Sequence, residues 1–150
     1  MVHWFRIFIF LVLGCCLCAC SKTLSIQAQG SSILNTDEKG TALPVNVHVY
    51  QLDNINKFES ANFDELWLNA KGILGNTLLS EDEFTLNPDE NKIIKFRQEK
   101  NTHYVGIMAI FRSPANENWR VIEEMPENIS YPKKQIYLTL KDNHIFLKSN

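Results

Sequence analysis

Beyond residue 20 the chain has no cysteine. Its four cysteines are Cys15, Cys16, Cys18 and Cys20, so the folded body has neither a disulfide framework nor a cysteine-type metal site. There is no positive excess either: 15 Lys and Arg face 17 Asp and Glu, a formal net charge of −2. A nucleic-acid binder would show a basic excess or stripe. The apolar run of residues 7–17 is about a dozen residues long, too short for a spanning helix, which needs about 20. No GxSxG elbow is present, and no GK[ST] follows Gly72 or Gly75, so neither a serine nucleophile nor a phosphate loop is indicated. His48, His103 and His144 stand far apart with no HxH or HxxxH spacing, which leaves no local metal-ligand set. Glu81-Asp82-Glu83 and Glu123-Glu124 read as solvated charges at strand ends, and a carboxylate pair for glycoside hydrolysis has no positive support. The inventory therefore contains no catalytic residue, no metal site, no cofactor and no small-molecule substrate.

What is present begins at the N-terminus. Sixteen of the first 19 residues are hydrophobic, against 51 of the remaining 131. The body thus suits a single globular domain on a modest core. Residues 1–6 supply a weakly positive n-region and residues 7–17 a secretory h-region. Leu17-Cys18-Ala19-Cys20 then resembles the bacterial lipobox, in which small residues precede a cysteine that is acylated before cleavage. The alternatives are an ordinary signal peptide cut after Ala19 or an uncleaved short anchor. The lipobox reading divides the chain into a leader at 1–19, an acylated Cys20 with a tether at 20–23, and a domain at 24–150. Diacylglycerol and a further acyl chain on Cys20 would anchor it stably, since two chains suffice where one is marginal. Ser21 follows the cysteine instead of the Asp that resembles an inner-membrane retention signal. The expected address is the periplasmic face of the outer membrane.

The body reads as strands with one helical interruption. Residues 24–30 form a first strand, and in residues 44–52 Val45, Val47 and Val49 share one face. Phe84 and Leu86 mark a third strand, Ile94 and Phe96 a fourth. Residues 104–111 are apolar on both faces and read as a central, doubly covered strand. Residues 119–124 are shorter and more exposed. Asp142-Asn143 is a two-residue turn that sets Leu140 opposite Ile145 and Leu138 opposite Leu147. Between the second and third strands Asn62 and Glu65 form a capping box. Phe63, Leu66, Trp67 and Ala70 follow as one apolar stripe, read as core contact. Gly72 is expected to end that helix, with a second helical turn running through Leu79. Seven or eight strands with a short helical insertion argue an all-β sandwich.

One loop is long for a sandwich. Ile33-Leu34-Asn35-Thr36-Asp37-Glu38-Lys39-Gly40-Thr41-Ala42-Leu43-Pro44 joins the first two strands with twelve residues, where two to five are usual for a hairpin and long ordered loops are often functional. It is either a binding loop or a flexible excursion with its apolar ends tucked into the core. Asp37 and Glu38 read as rim charges, and Leu34 or Leu43 as an apolar anchor.

The lipobox, this loop and Pro44-Val45-Asn46-Val47-His48-Val49-Tyr50-Gln51-Leu52 together resemble the TssJ family, the outer-membrane lipoprotein of type VI secretion systems. The family's pattern is met by Leu34, Asn35, Asp37, Gly40, Pro44, Val45, Val47 and Tyr50-Gln51-Leu52. It continues through Phe58, Phe63-Asp64, Leu66, Leu74-Gly75, Leu79, Pro88, Tyr104-Val105-Gly106, Ala109, Phe111-Arg112 and Trp119-Arg120. His48 departs from it where an Arg is common, as do Thr36 and Leu43 where Pro and Ser are more usual. The resemblance implies a transthyretin-like sandwich of two sheets and no enzymatic activity. It also implies that the loop, residues Leu34, Asn35, Thr36, Asp37, Glu38, Lys39, Gly40, Thr41, Ala42 and Leu43, binds the periplasmic domain of TssM, the IcmF-like inner-membrane subunit. The chain would then tether that subunit to outer-membrane lipid. The alternative is a lipid-anchored periplasmic module for a small ligand or glycan on the same scaffold, since fold does not fix function.

Overall fold

The computed structural model describes residues 22–114, 118–126 and 133–148. The expected leader at residues 1–19 and Cys20 lie outside the described residues.

Among the described residues eight strands assemble into two four-stranded sheets. They are β1 (Thr23–Gly30), β2 (Val45–Leu52), β3 (Leu78–Leu86), β4 (Asn91–Arg97), β5 (Tyr104–Ile110), β6 (Arg120–Glu124), β7 (Lys133–Lys141) and β8 (His144–Leu147). The first sheet has the order β4-β1-β7-β8, with β1 antiparallel to β4 and parallel to β7. The second has the order β3-β2-β5-β6, antiparallel throughout. The alternation seen in the sequence turns Leu24, Ile26, Ala28, Ile136, Leu138 and Leu140 toward Val45, Val47, Val49, Val105, Ile107 and Ala109, all buried. β1 starts at Thr23, paired with Arg97, one residue before the expected boundary. The last hairpin has the expected register, Leu140 opposite Ile145 and Leu138 opposite Leu147, with Asp142 at φ 53° in its turn.

β5 is covered on both sides. Val105, Ile107 and Ala109 face the core, while Gly106 and Met108, on the other face, are buried as well. The cover over Gly106 is α1 (Asn56–Ser60), a helix absent from the sequence reading because five residues show no periodic stripe. Its Phe58 ring packs at a tilt against Tyr50, centroids 5.7 Å apart, and leaves no room on Gly106, where a Cβ would lie 2.8 Å from the ring. Arg120 Nη1 fastens α1 by donating to the Phe58 and Ala61 carbonyls at 2.6 and 2.7 Å. Its guanidinium lies 4.6 Å over Trp119. The strand itself ends at Ile110, one residue short of expectation.

The second helix, α2 (Phe63–Leu74), opens with the expected capping box: Glu65 N donates to Asn62 Oδ1 and Asn62 N to Glu65 Oε2, both at 2.9 Å. Two expectations need correction. Gly72 does not end the helix. The chain kinks at Asn69 (φ −153°, ψ 50°) and continues to Leu74, and Gly75 (φ 57°) ends it. Gly72 serves the kink, because Asn69 Oδ1 accepts from its N–H at 3.1 Å in space that a Cβ would occupy. After Leu74 only a single 3-10 turn, Gly75–Thr77, precedes β3. Trp67 is not core: it is 53% exposed and rests on Phe63 at 5.9 Å. Phe63 in turn meets Trp119 edge-on at 5.3 Å and takes the place on the sandwich that the stripe had offered to Trp67. Both helices thus belong to the second sheet. The outer face of the first sheet bears no helix among the described residues.

Candidate functional site

The β1–β2 loop leaves from Gly30, whose N–H donates to Glu90 O at 2.9 Å, and Ser31 N–H donates to Leu140 O at 2.9 Å. Leu34 is fully buried, worth about 2 kcal/mol as an apolar plug, so its side chain is not presented to a partner. Leu43 N donates to Leu34 O at 3.0 Å and closes the neck. Leu43 is half-buried, and the loop's most open apolar side chain is Ile33, 44% exposed.

Asn35 is the brace. It sits at φ 47°, a left-handed conformation that Asn tolerates better than most residues. Its amide Nδ2 donates to Pro44 O at 3.0 Å, its Oδ1 accepts from Arg112 N at 2.9 Å, and its own N–H donates to Asp142 O at 2.7 Å. One residue thereby ties the loop to its own exit, to the segment after β5 and to the β7–β8 turn.

Asp37 organises the tip. Its Oδ1 accepts from Lys39 N at 2.9 Å and Thr41 N at 2.8 Å, and its backbone pairs with Thr41 O and Gly40 N at 2.9 Å each. The Thr41 backbone bond is the first cause holding its carboxyl below the ordinary value; desolvation opposes it, and Lys39, the Thr41 side chain and Arg112 add to the lowering. Asp37 is thus an Asx-type turn former more than a free rim charge. Gly40 (φ 79°) completes the reversal. Glu38, Lys39, Gly40 and Thr41 are exposed, whereas Thr36 and Ala42 are half-buried. A shallow cleft lined by Thr36, Asp37, Glu38, Arg112 and Ser113 runs beside the tip. The result is an ordered projection with a charged tip and an apolar shoulder, suited to engaging another protein surface.

The Tyr50-Gln51-Leu52 signature lies at the other end of the sandwich and is structural. Gln51, buried, donates from Nε2 to Arg97 O at 2.8 Å, while its Oε1 accepts from Glu99 N at 2.8 Å and Thr102 Oγ1 at 3.0 Å. His48, on the outer face of the same strand, lies 3.5 Å from Glu81 and 3.8 Å from Glu83. Burial, then those two carboxylates, push the Tyr50 phenol above its ordinary range. The three described histidines occupy separate places: His48 on β2, His103 before β5 and His144 on β8. Sequence reasoning named Asn35 and Asp37 but missed Arg112 and Asp142 as loop partners, because those contacts are made by backbone groups, which no residue pattern marks.

A family model described as "Type VI secretion lipoprotein, VasD, EvfM, TssJ" matches residues 22–143. Among solved structures, the type VI secretion lipoprotein TssJ1 of Pseudomonas aeruginosa is similar with TM-score 0.78 and 25% identity, covering 87% of this chain and 97% of its own. A chain of a structure described as a type VI membrane complex is similar with TM-score 0.77 and 24% identity, over 86% and 99%. A chain of the structure described as the TssM C-terminal domain from EAEC is similar with TM-score 0.72 and 21% identity, over 86% and 99%. No curated protein sequence matches.

Proposed function

The chain belongs to the type VI secretion lipoprotein family of TssJ, a structural and non-enzymatic component, and on that footing we propose that it tethers a TssM-like inner-membrane subunit to the outer membrane. In this reading residues 1–19 are removed as a leader, acylated Cys20 holds the domain on the periplasmic face, and the β1–β2 loop engages the partner's periplasmic domain. The observation that carries it is the bracing of the loop by Leu34 and Asn35, which presents Glu38, Lys39 and Thr41 as a fixed projection. A partner pays little ordering entropy on a pre-formed loop. The occurrence of chains of this fold in structures described as a type VI membrane complex and as the TssM C-terminal domain supports the choice of partner.

The test is to exchange residues 37–41 for a Gly-Ser link of equal length, leaving Leu34 and Asn35 in place. The domain should stay folded, because the exchange touches no core residue. Calorimetry against a purified TssM periplasmic domain should show at least tenfold weaker binding, about 1.4 kcal/mol. Unchanged affinity in the folded variant would move the interface elsewhere on the sandwich.

A further inference from the structure

The outer face of the first sheet, which bears no helix among the described residues, is polarised in charge. Inward Leu24 and Ile26 fix the alternation, so Thr23, Ser25, Gln27 and Gln29 point outward, with Arg97, Lys95, Ile93 and Asn91 opposite them on β4. Gln135, Tyr137, Thr139 and Lys141 hold the corresponding positions on β7, and His144 and Phe146 those on β8. No Asp or Glu occupies an outward position of these four strands, in a chain with net charge −2. The outer face of the second sheet, by contrast, carries Glu81 and Glu83 around His48. Lys95, Arg97 and Lys141 are exposed, and none meets a carboxylate among the described residues. Two of the large hydrophobic side chains most open to solvent, Ile93 at 61% and Phe146 at 48%, flank the same face.

The length of chain between this face and Cys20 decides what covers it. Ser21 and Lys22 alone separate Cys20 from Thr23. At about 3.3–3.6 Å per residue, the start of β1 can stand only about 10 Å from an acyl anchor at Cys20. We propose that the outer face of the first sheet lies on the bilayer, with Lys95, Arg97 and Lys141 against anionic phospholipid headgroups and Ile93 and Phe146 seated at the interface. This deepens the anchoring reading above and rests on it. Basic side chains close to an anionic surface and apolar side chains at its boundary act in the same direction. The face then fixes the domain's orientation as well as its height.

The test supplies the anchor chemically, so that it stands apart from whether a cell acylates Cys20. All buried core residues described lie between Leu24 and Ile145, so the leaderless chain from Cys20 retains the whole core. Its one remaining thiol is coupled to a maleimide lipid in vesicles, and lysine acetylation is followed by mass spectrometry. On phosphatidylglycerol-containing vesicles Lys95 and Lys141 should react at least about fivefold more slowly than on phosphatidylcholine vesicles. Lys39 on the loop and Lys71 on α2 should be unchanged, and salt should erase the difference. Replacing Lys95→Glu and Arg97→Glu together should release Lys141. Equal reactivity of Lys95 and Lys141 on both lipids would overturn the proposal, as would protection confined to Lys22, which would stand the domain on its end.

Discussion

Asn35 holds three separate segments with one amide side chain and one backbone N–H, and its value can be measured. Asn35→Ala removes the donor to Pro44 O and the acceptor of Arg112 N and leaves a residue with a Cβ at positive φ. Stranded partly buried backbone groups cost about 1–3 kcal/mol each, so a loss of about 2–4 kcal/mol is expected, with a fall in Tm of roughly 10 °C. Asn35→Asp, which keeps the acceptor and loses the donor, should fall between. Calorimetric melting that finds the alanine variant as stable as the parent would remove the brace from the account. Asp37 makes a different prediction. Its carboxyl is held below the ordinary value of 3.8 by amides of the loop tip, so the ionised form stabilises the folded loop. That contribution is complete above 3.8 and is lost as pH falls through the lower folded value. An amide NMR titration should therefore move Lys39 and Thr41 together with a midpoint below 3.8; a midpoint at or above it is the contrary result. Residue 35 was legible as part of a family pattern, but its meaning was not, since Arg112 is 77 positions away and meets the Asn35 side chain through its backbone N–H.

Among the elements, β5 was legible because period-two reading fails there in an informative way: apolar residues fill both faces. What lay over its outer face was not, since α1 is too short to show periodicity and is held by Arg120 from the far side of the sequence. The stripe of α2 was legible in kind but not in extent, because Asn69 breaks the helix through a side-chain bond to the Gly72 amide, a local competition that hydrophobic pattern does not record. β5 gives the sharpest test. Ile107→Asp would bury an unpaired carboxylate in the inter-sheet core at a cost of several kcal/mol and should prevent folding. Gly106→Ala acts on the opposite face by pushing the Phe58 ring, at about 1–3 kcal/mol, and Phe58→Leu in the same chain should recover part of that loss. Circular-dichroism melts distinguish the faces. Additive effects of the two substitutions at Gly106 and Phe58 would mean that the ring does not bear on the strand.

At the scale of the whole molecule the chain carries its two proposed attachments at opposite ends of one strand. Cys20→Ser should abolish incorporation of a palmitate analogue and release the domain from the membrane fraction, since acyl chains contribute about 0.8 kcal/mol per buried CH₂. A variant that still labels and sediments with outer membrane would refute the lipobox reading. β1 begins three residues after that cysteine and ends at Gly30, where the loop departs, about 23 Å away at 3.3 Å per residue. It is an interior strand, paired along its length with β4 on one side and β7 on the other. A load entering at Cys20 and at the loop therefore meets β1 at its two ends and passes to ladders on both of its sides. Those ladders divide the load between two neighbours, instead of leaving it to one edge strand. The brace at Asn35 passes the same force into β5 and the β7–β8 turn before it reaches the strand. The sandwich thus spreads a load on either proposed attachment over both of its sheets before any one strand has to carry it.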